Sequence, residues 1–87
     1  MIDEDKLPVG QVLRALREHM GLTQAEFGRL VGVRQQRIGF MECGDFHPSL
    51  ATLFRIAEAT GYPASKIIKK IEIQQEMQTC TKIGAKL

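Results

Sequence analysis

The sequence predicts an all-α fold, a compact bundle of five short helices followed by a C-terminal extension. Three observations carry that expectation. Apolar residues up to Ile71 recur at the three- and four-residue spacing of helices with one face against a core. Gly21, Gly32, Gly44 and Gly61 stand at the ends of those periodic segments, where helices stop. Helix-start signals, the Thr23-Gln24-Ala25-Glu26 box and Ser49, stand where new segments begin.

The first helix is expected from about Val9 to Met20, with Val9, Val12, Leu13, Leu16 and Met20 on one face and Pro8 at its start. The second runs from Gln24 to Val31. The Thr23 hydroxyl takes one free amide and Glu26 reaches back for another. Phe27, Leu30 and Val31 supply its apolar surface. Gly28 costs about 1 kcal/mol relative to alanine in a helix, so close approach of another helix is expected there. Gly32 ends this helix and Val33 tucks the turn into the core. The third helix follows from about Arg34 to Cys43, with Ile38 and Met41 inward and Gly39 outward.

A loop at Asp45-Phe46-His47-Pro48 leads to Ser49, the cap of a fourth helix from Leu50 to Thr60. Its expected buried stripe is Leu50, Leu53, Phe54, Ile56 and Ala57. The fifth helix starts at Pro63 or Ala64 and buries Ile67, Ile68 and Ile71. Beyond Ile71 two patterns compete. Ile71-Glu72-Ile73 alternates as a strand does, whereas Gln74 to Gln78 favours helix, so a fraying helix and an added edge strand both stay open. The expected organisation is an N-terminal arm (1–8), a helical domain (9–71) and an extension (72–87).

Composition narrows the function classes. A chain of 87 residues makes one small domain with a limited core. No run approaches the ~18 apolar residues of a membrane span. The acidic start, MIDEDKLP, lacks the features of a secretory signal, so a cytoplasmic location is expected. Cys43 and Cys80 form no CxxC pair and read as free thiols, with Cys43 packed or half-buried at a helix end. His19 has no second His or Cys at ligand spacing, so no metal site is expected. No carboxylate pair or nucleophile with a base points to an enzyme, and no cofactor is expected.

Net charge is only +2, but its distribution is uneven. Residues 9–44 carry five arginines against three glutamates, and every cation there is arginine. Arginine favours planar, bidentate contacts with phosphates and base edges. The third helix opens with Arg34-Gln35-Gln36-Arg37, directly after the turn at Val31-Gly32-Val33. A glutamine amide can both donate to and accept from the adenine N6/N7 edge. That stretch is a candidate probe for DNA.

With these residues placed, about two-thirds of the chain, from Gly10 to Ile68, resembles the helix-turn-helix domain of the phage lambda/434 repressor and Cro family. The resemblance rests on Leu13 and Arg17, on Gly21-Leu22-Thr23-Gln24-Ala25-Glu26, and on Gly32-Val33, Ile38, Met41-Glu42 and Gly44. Pro48-Ser49-Leu50 to Gly61 completes it. It implies a lambda-repressor-like five-helix fold, with the third helix in the major groove and the second across the backbone. It further implies that Gln24 contacts a phosphate and that Gln35 and Gln36 read bases. Arg37 would take a guanine edge or a phosphate. Arg17 and Glu42 would form a structural ion pair bracing the first helix against the third.

Three departures separate this chain from the family pattern. Arg34 replaces the usual Ser or Thr cap and gains a cation that can reach phosphate. Phe40 stands where a polar, base-facing residue is common; a thymine methyl or the chain's own loop could receive it. Gly39 narrows the reading surface toward residues 34–37. Arg14, on the first helix, is a further candidate for phosphate contact. The resemblance implies a DNA-binding transcriptional regulator, a repressor acting as a homodimer on a partly palindromic operator in double-stranded DNA. The alternative is the antitoxin of a toxin–antitoxin pair, binding its own promoter and engaging a toxin through the extension.

Overall fold

The computed structural model describes the backbone of residues 7–86 and the side chains of residues 7–77. Most of the expected N-terminal arm and the side chains of Cys80 and Ile83 lie outside the described residues. Five α-helices follow one another: α1 (Val9–His19), α2 (Gln24–Val31), α3 (Gln35–Cys43), α4 (Leu50–Thr60) and α5 (Ala64–Lys86). Among the described residues there is no strand.

The helices meet around one core. α1 supplies Val9, Val12, Leu13 and Leu16, α2 supplies Phe27 and Val31, and α3 supplies Ile38 and Met41. Leu53, Ile56 and Ala57 of α4 and Ile67 of α5 close it. Fully burying such side chains is worth about 1.5–3 kcal/mol each. The same spacing that predicts the helices therefore places α1 and α2 against α3. Met20, expected on the buried face, is only half-buried and packs on the core from its edge.

Local signals work as their chemistry requires. The Thr23 hydroxyl accepts from the Glu26 N–H at 3.1 Å, and the Glu26 carboxylate accepts from the Thr23 N–H at 2.9 Å. The Thr23 N–H, followed by its hydroxyl, holds the Glu26 carboxyl below its ordinary value. Ser49 likewise accepts from the Thr52 N–H at 3.1 Å and caps α4.

Several burial expectations fail, and helical geometry gives the reason. Leu50 and Phe54 of α4 are 65% and 57% exposed, not buried. α4 packs chiefly on α2 and α5, so its buried arc is narrow and holds Leu53, Ile56 and Ala57. Successive residues lie about 100° apart round a helix, which turns Phe54 away from Leu53. Ile68 is exposed beside buried Ile67 for the same reason, and Leu30 beside Val31. Cys43 is a free thiol, but it is exposed at the end of α3 instead of half-buried.

Past Ile71 the chain stays helical. α5 runs unbroken across the expected boundary at 71/72, so the local alternation at Ile71-Glu72-Ile73 forms no strand. A strand there would need an edge to pair with, and none exists among the described residues. Gln74 returns to the bundle, where its amide reaches Gln11 of α1 at 3.4 Å. Ile73 and Met77 of α5 are exposed.

Candidate nucleic-acid interface

The turn between α2 and α3 closes over Gly28. The N–H groups of Gly32 and Val33 both donate to the Gly28 carbonyl at 2.8 Å. A Cβ on Gly28 would lie 2.5 Å from the Val33 carbonyl oxygen. The missing side chain thus admits the turn backbone, together with the start of α3, and this accounts for a glycine inside a helix. Gly32 sits in the left-handed region with φ 83°, where glycine meets no steric penalty.

α3 emerges from this turn with Arg34 as its N-cap residue. Arg34 makes no side-chain cap bond. Its carbonyl accepts from the N–H groups of Arg37 and Ile38 at 3.0 and 3.1 Å. The guanidinium is therefore left to solvent. Arg34, Gln35, Gln36 and Arg37 are all exposed on the first turn of α3, while Ile38 behind them is only 1% exposed and anchors that turn. The four residues named from sequence are thus brought together on one projecting end.

A polar network braces this end from behind. Arg17 Nε donates to Glu42 Oε2 at 2.7 Å and Arg17 Nη2 donates to Glu42 Oε1 at 3.0 Å, a bidentate pair between α1 and α3. Arg17 Nη1 also donates to the Leu22 carbonyl at 2.8 Å, which ties the α1–α2 connection into the same unit. The Glu42 hydrogen bond outweighs burial and raises the Arg17 pKa further, so this guanidinium stays charged. Gln24 Nε2 donates to Glu42 Oε1 at 3.1 Å. The first residue of α2 is held in place by the same carboxylate.

Gly39 lies beside the Gln24 side chain on an otherwise open face of α3. It is half-buried, and a Cβ there would meet Gln24 Oε1 at 3.6 Å. Phe40 is 56% exposed and does not bury against its own loop. Arg14 stands apart, since its described contact is an exposed ion pair with Glu18 at 3.3 Å on α1. Such a pair contributes little to stability.

Three features carry no sequence motif. The Arg37 guanidinium lies over the Phe46 ring, 4.7 Å from its centroid, so the α3–α4 loop steadies a residue of the exposed turn. A cleft of about 510 Å³ opens between α3 and α4, and Thr52 and Arg55 line its far wall. Gly10 of α1 packs on the backbone of α3, where a Cβ would overlap the Met41 and Glu42 carbonyls.

Two short helices joined by a glycine turn, the second presenting an exposed polar end, define a helix-turn-helix domain. The helix-turn-helix family model matches residues 13–67, and the chain belongs to that family, the lambda repressor/Cro-like class of helix-turn-helix proteins. A relative described as an uncharacterized HTH-type transcriptional regulator of Archaeoglobus fulgidus is 42% identical over 45 residues. That match covers 52% of this chain and 64% of the relative, so the chain spans less than two-thirds of that protein's length. One of the same description from Methanothermobacter thermautotrophicus is 44% identical over 50 residues, covering 58% of this chain and 72% of its own. The crystal structure of the clp gene regulator ClgR from Corynebacterium glutamicum shares the fold, with a TM-score of 0.81 at 20% identity. It covers 94% of this chain and 87% of that one.

Proposed function

We propose that this chain is a sequence-specific DNA-binding transcriptional regulator, a repressor that acts as a homodimer on a partly palindromic operator. The observation that carries the reading is the braced, projecting start of α3, with Arg34, Gln35, Gln36 and Arg37 exposed together. In this reading Gln35 and Gln36 meet base edges in the major groove and Arg37 takes a guanine edge or a phosphate. Arg34 and Gln24 position the helix on phosphates, and Arg14 adds a further one. The Gln24 amide donates to Glu42 Oε1, so contact with phosphate needs that amide to turn outward.

Four side chains make a narrow reader, and two copies double the sequence read. The exposed Ile73 and Met77, neighbours on one face of α5, supply apolar surface for the second copy. The same exposed residues support the alternative, an antitoxin whose α5 receives a toxin. Copurification of a tight protein partner from the native operon would favour that alternative. Selection from a random pool of duplexes tests the leading reading. It should recover two related half-sites about 34 Å apart, centre to centre. A pool that stays featureless after repeated rounds would contradict it.

A further inference from the structure

We propose that the groove between α1 and α5 is a ligand site for a small organic carboxylate with an apolar body. The groove has a volume of about 590 Å³ and shares no residue with the candidate nucleic-acid interface. Buried Val12 and Leu16 of α1 form its floor. Ile73 of α5, 44% exposed, and half-buried Tyr62 add apolar surface. Ala15 stands on the α1 edge, where its small side chain leaves that floor open. The Gln74 amide, donating to Gln11 Oε1 at 3.4 Å, ties the two helices together across the groove.

The ionisable groups that line the groove favour an anion. Lys70 of α5 and His19 of α1 both face it, and none of its lining residues is acidic. The acids nearest to them in sequence are engaged by other cations, Glu72 by Lys69 at 3.2 Å and Glu18 by Arg14 at 3.3 Å. Lys70 itself has no ion pair among the described residues. An ammonium is a compact point charge with rotatable donors, and an imidazole ring adds a further N–H. A carboxylate held by Lys70 would leave its apolar body over Val12 and Leu16.

Size selects a small molecule. The lining residues of α1 run from Gln11 to His19, about 12 Å at a rise of ~1.5 Å per residue. A stable protein partner covers about 800 Å² on each side, far more than a groove of that length offers. The volume falls among small-molecule clefts of about 300–1,000 Å³, which likewise set a few polar groups round an apolar lining.

The test is a heteronuclear NMR titration of the full chain with sodium octanoate, whose extended chain is close to the groove in length. Amide signals of residues 11–19 and 70–74 should move together and saturate. Acetate carries the charge alone and octanamide the apolar body alone, so each should bind about tenfold more weakly. Lys70→Gln should weaken octanoate by about five- to tenfold and leave octanamide unchanged. Ala15→Leu should fill the groove and abolish binding of both. Lys70 and Ala15 are exposed, so both variants should keep the wild-type thermal midpoint without ligand. No saturable shift at roughly 10 mM octanoate, where a site of about 1 mM affinity would be filled, overturns the proposal. So does equal affinity for octanoate and octanamide, or a Lys70→Gln loss that is the same for both, since either leaves apolar surface with no seat for a carboxylate. Shifts centred on the exposed Leu50 and Phe54 of α4 would place the contact elsewhere, also against the proposal.

Discussion

Replacing Arg17 with alanine removes the centre of the network behind the exposed end of α3. Three hydrogen bonds are lost, two to Glu42 and one to the Leu22 carbonyl. The Glu42 side chain is only 4% exposed, so its carboxylate stays in poor contact with water with the Gln24 amide as its remaining side-chain donor. Stranding one member of such a pair costs about 3–5 kcal/mol. A chain of this length holds roughly 4–13 kcal/mol in all, so Arg17→Ala should be close to unfolding. Urea denaturation followed by far-UV circular dichroism measures this, because a slope of about 1 kcal/mol per M turns the loss into a midpoint shift of several molar. The double variant Arg17→Met, Glu42→Leu removes both charges and should recover most of the stability. It also removes the Glu42 acceptor of the Gln24 amide. A loss under about 1 kcal/mol for Arg17→Ala would refute the reasoning, since it would mean that water already screens the pair.

Close backbone approach and cap chemistry give further expectations. Gly28→Ala should destabilise by about 1–3 kcal/mol of overpacking, more than the ~1 kcal/mol that alanine returns in helix propensity, because its Cβ meets the fixed Val33 carbonyl. Gly10→Ala should behave alike against α3, whereas Gly39→Ala, with 3.6 Å to a mobile side-chain oxygen, should raise stability by up to about 1 kcal/mol. Thermal midpoints of the three variants check this ordering. The Glu26 carboxyl is lowered in the folded chain below 4.5 by the Thr23 N–H and hydroxyl. Its stabilising share is thus present above pH 4.5 and lost as pH falls through the folded value. Wild type should therefore lose stability relative to Glu26→Gln on acidification below pH 4.5, and parallel pH profiles for the two chains would contradict the capping-box account.

Much of this was legible in the residues because several local signals agree. Thr23 and Glu26, Ser49 and the stop glycines fix where helices begin and end, and apolar spacing chooses the inner faces of α1 to α3. Arg17 and Glu42 were found through the family resemblance, since nothing in a 25-residue separation announces a pair. The width of a buried stripe was not legible. It depends on how many neighbours a helix has, and α4 has too few to cover Leu50 and Phe54. The fate of the chain beyond Ile71 was open because glutamines at inward positions weaken the helical period, while helix continuation from α5 needs no new nucleus. In the candidate interface, residues 34–37 follow from the turn. Arg55 and Phe46 do not, because they join it only through the packing of α4 and its loop.

The most direct test of the central claim compares Gln35→Ala and Arg34→Ala on a duplex recovered from the random pool and on a scrambled one. If α3 reads bases, Gln35→Ala loses about 1–3 kcal/mol on the selected duplex and little on the scrambled one, so its preference collapses. Arg34→Ala should weaken both alike and flatten the salt dependence. Equal loss on the two duplexes for Gln35→Ala would contradict the assignment of sequence reading to the start of α3.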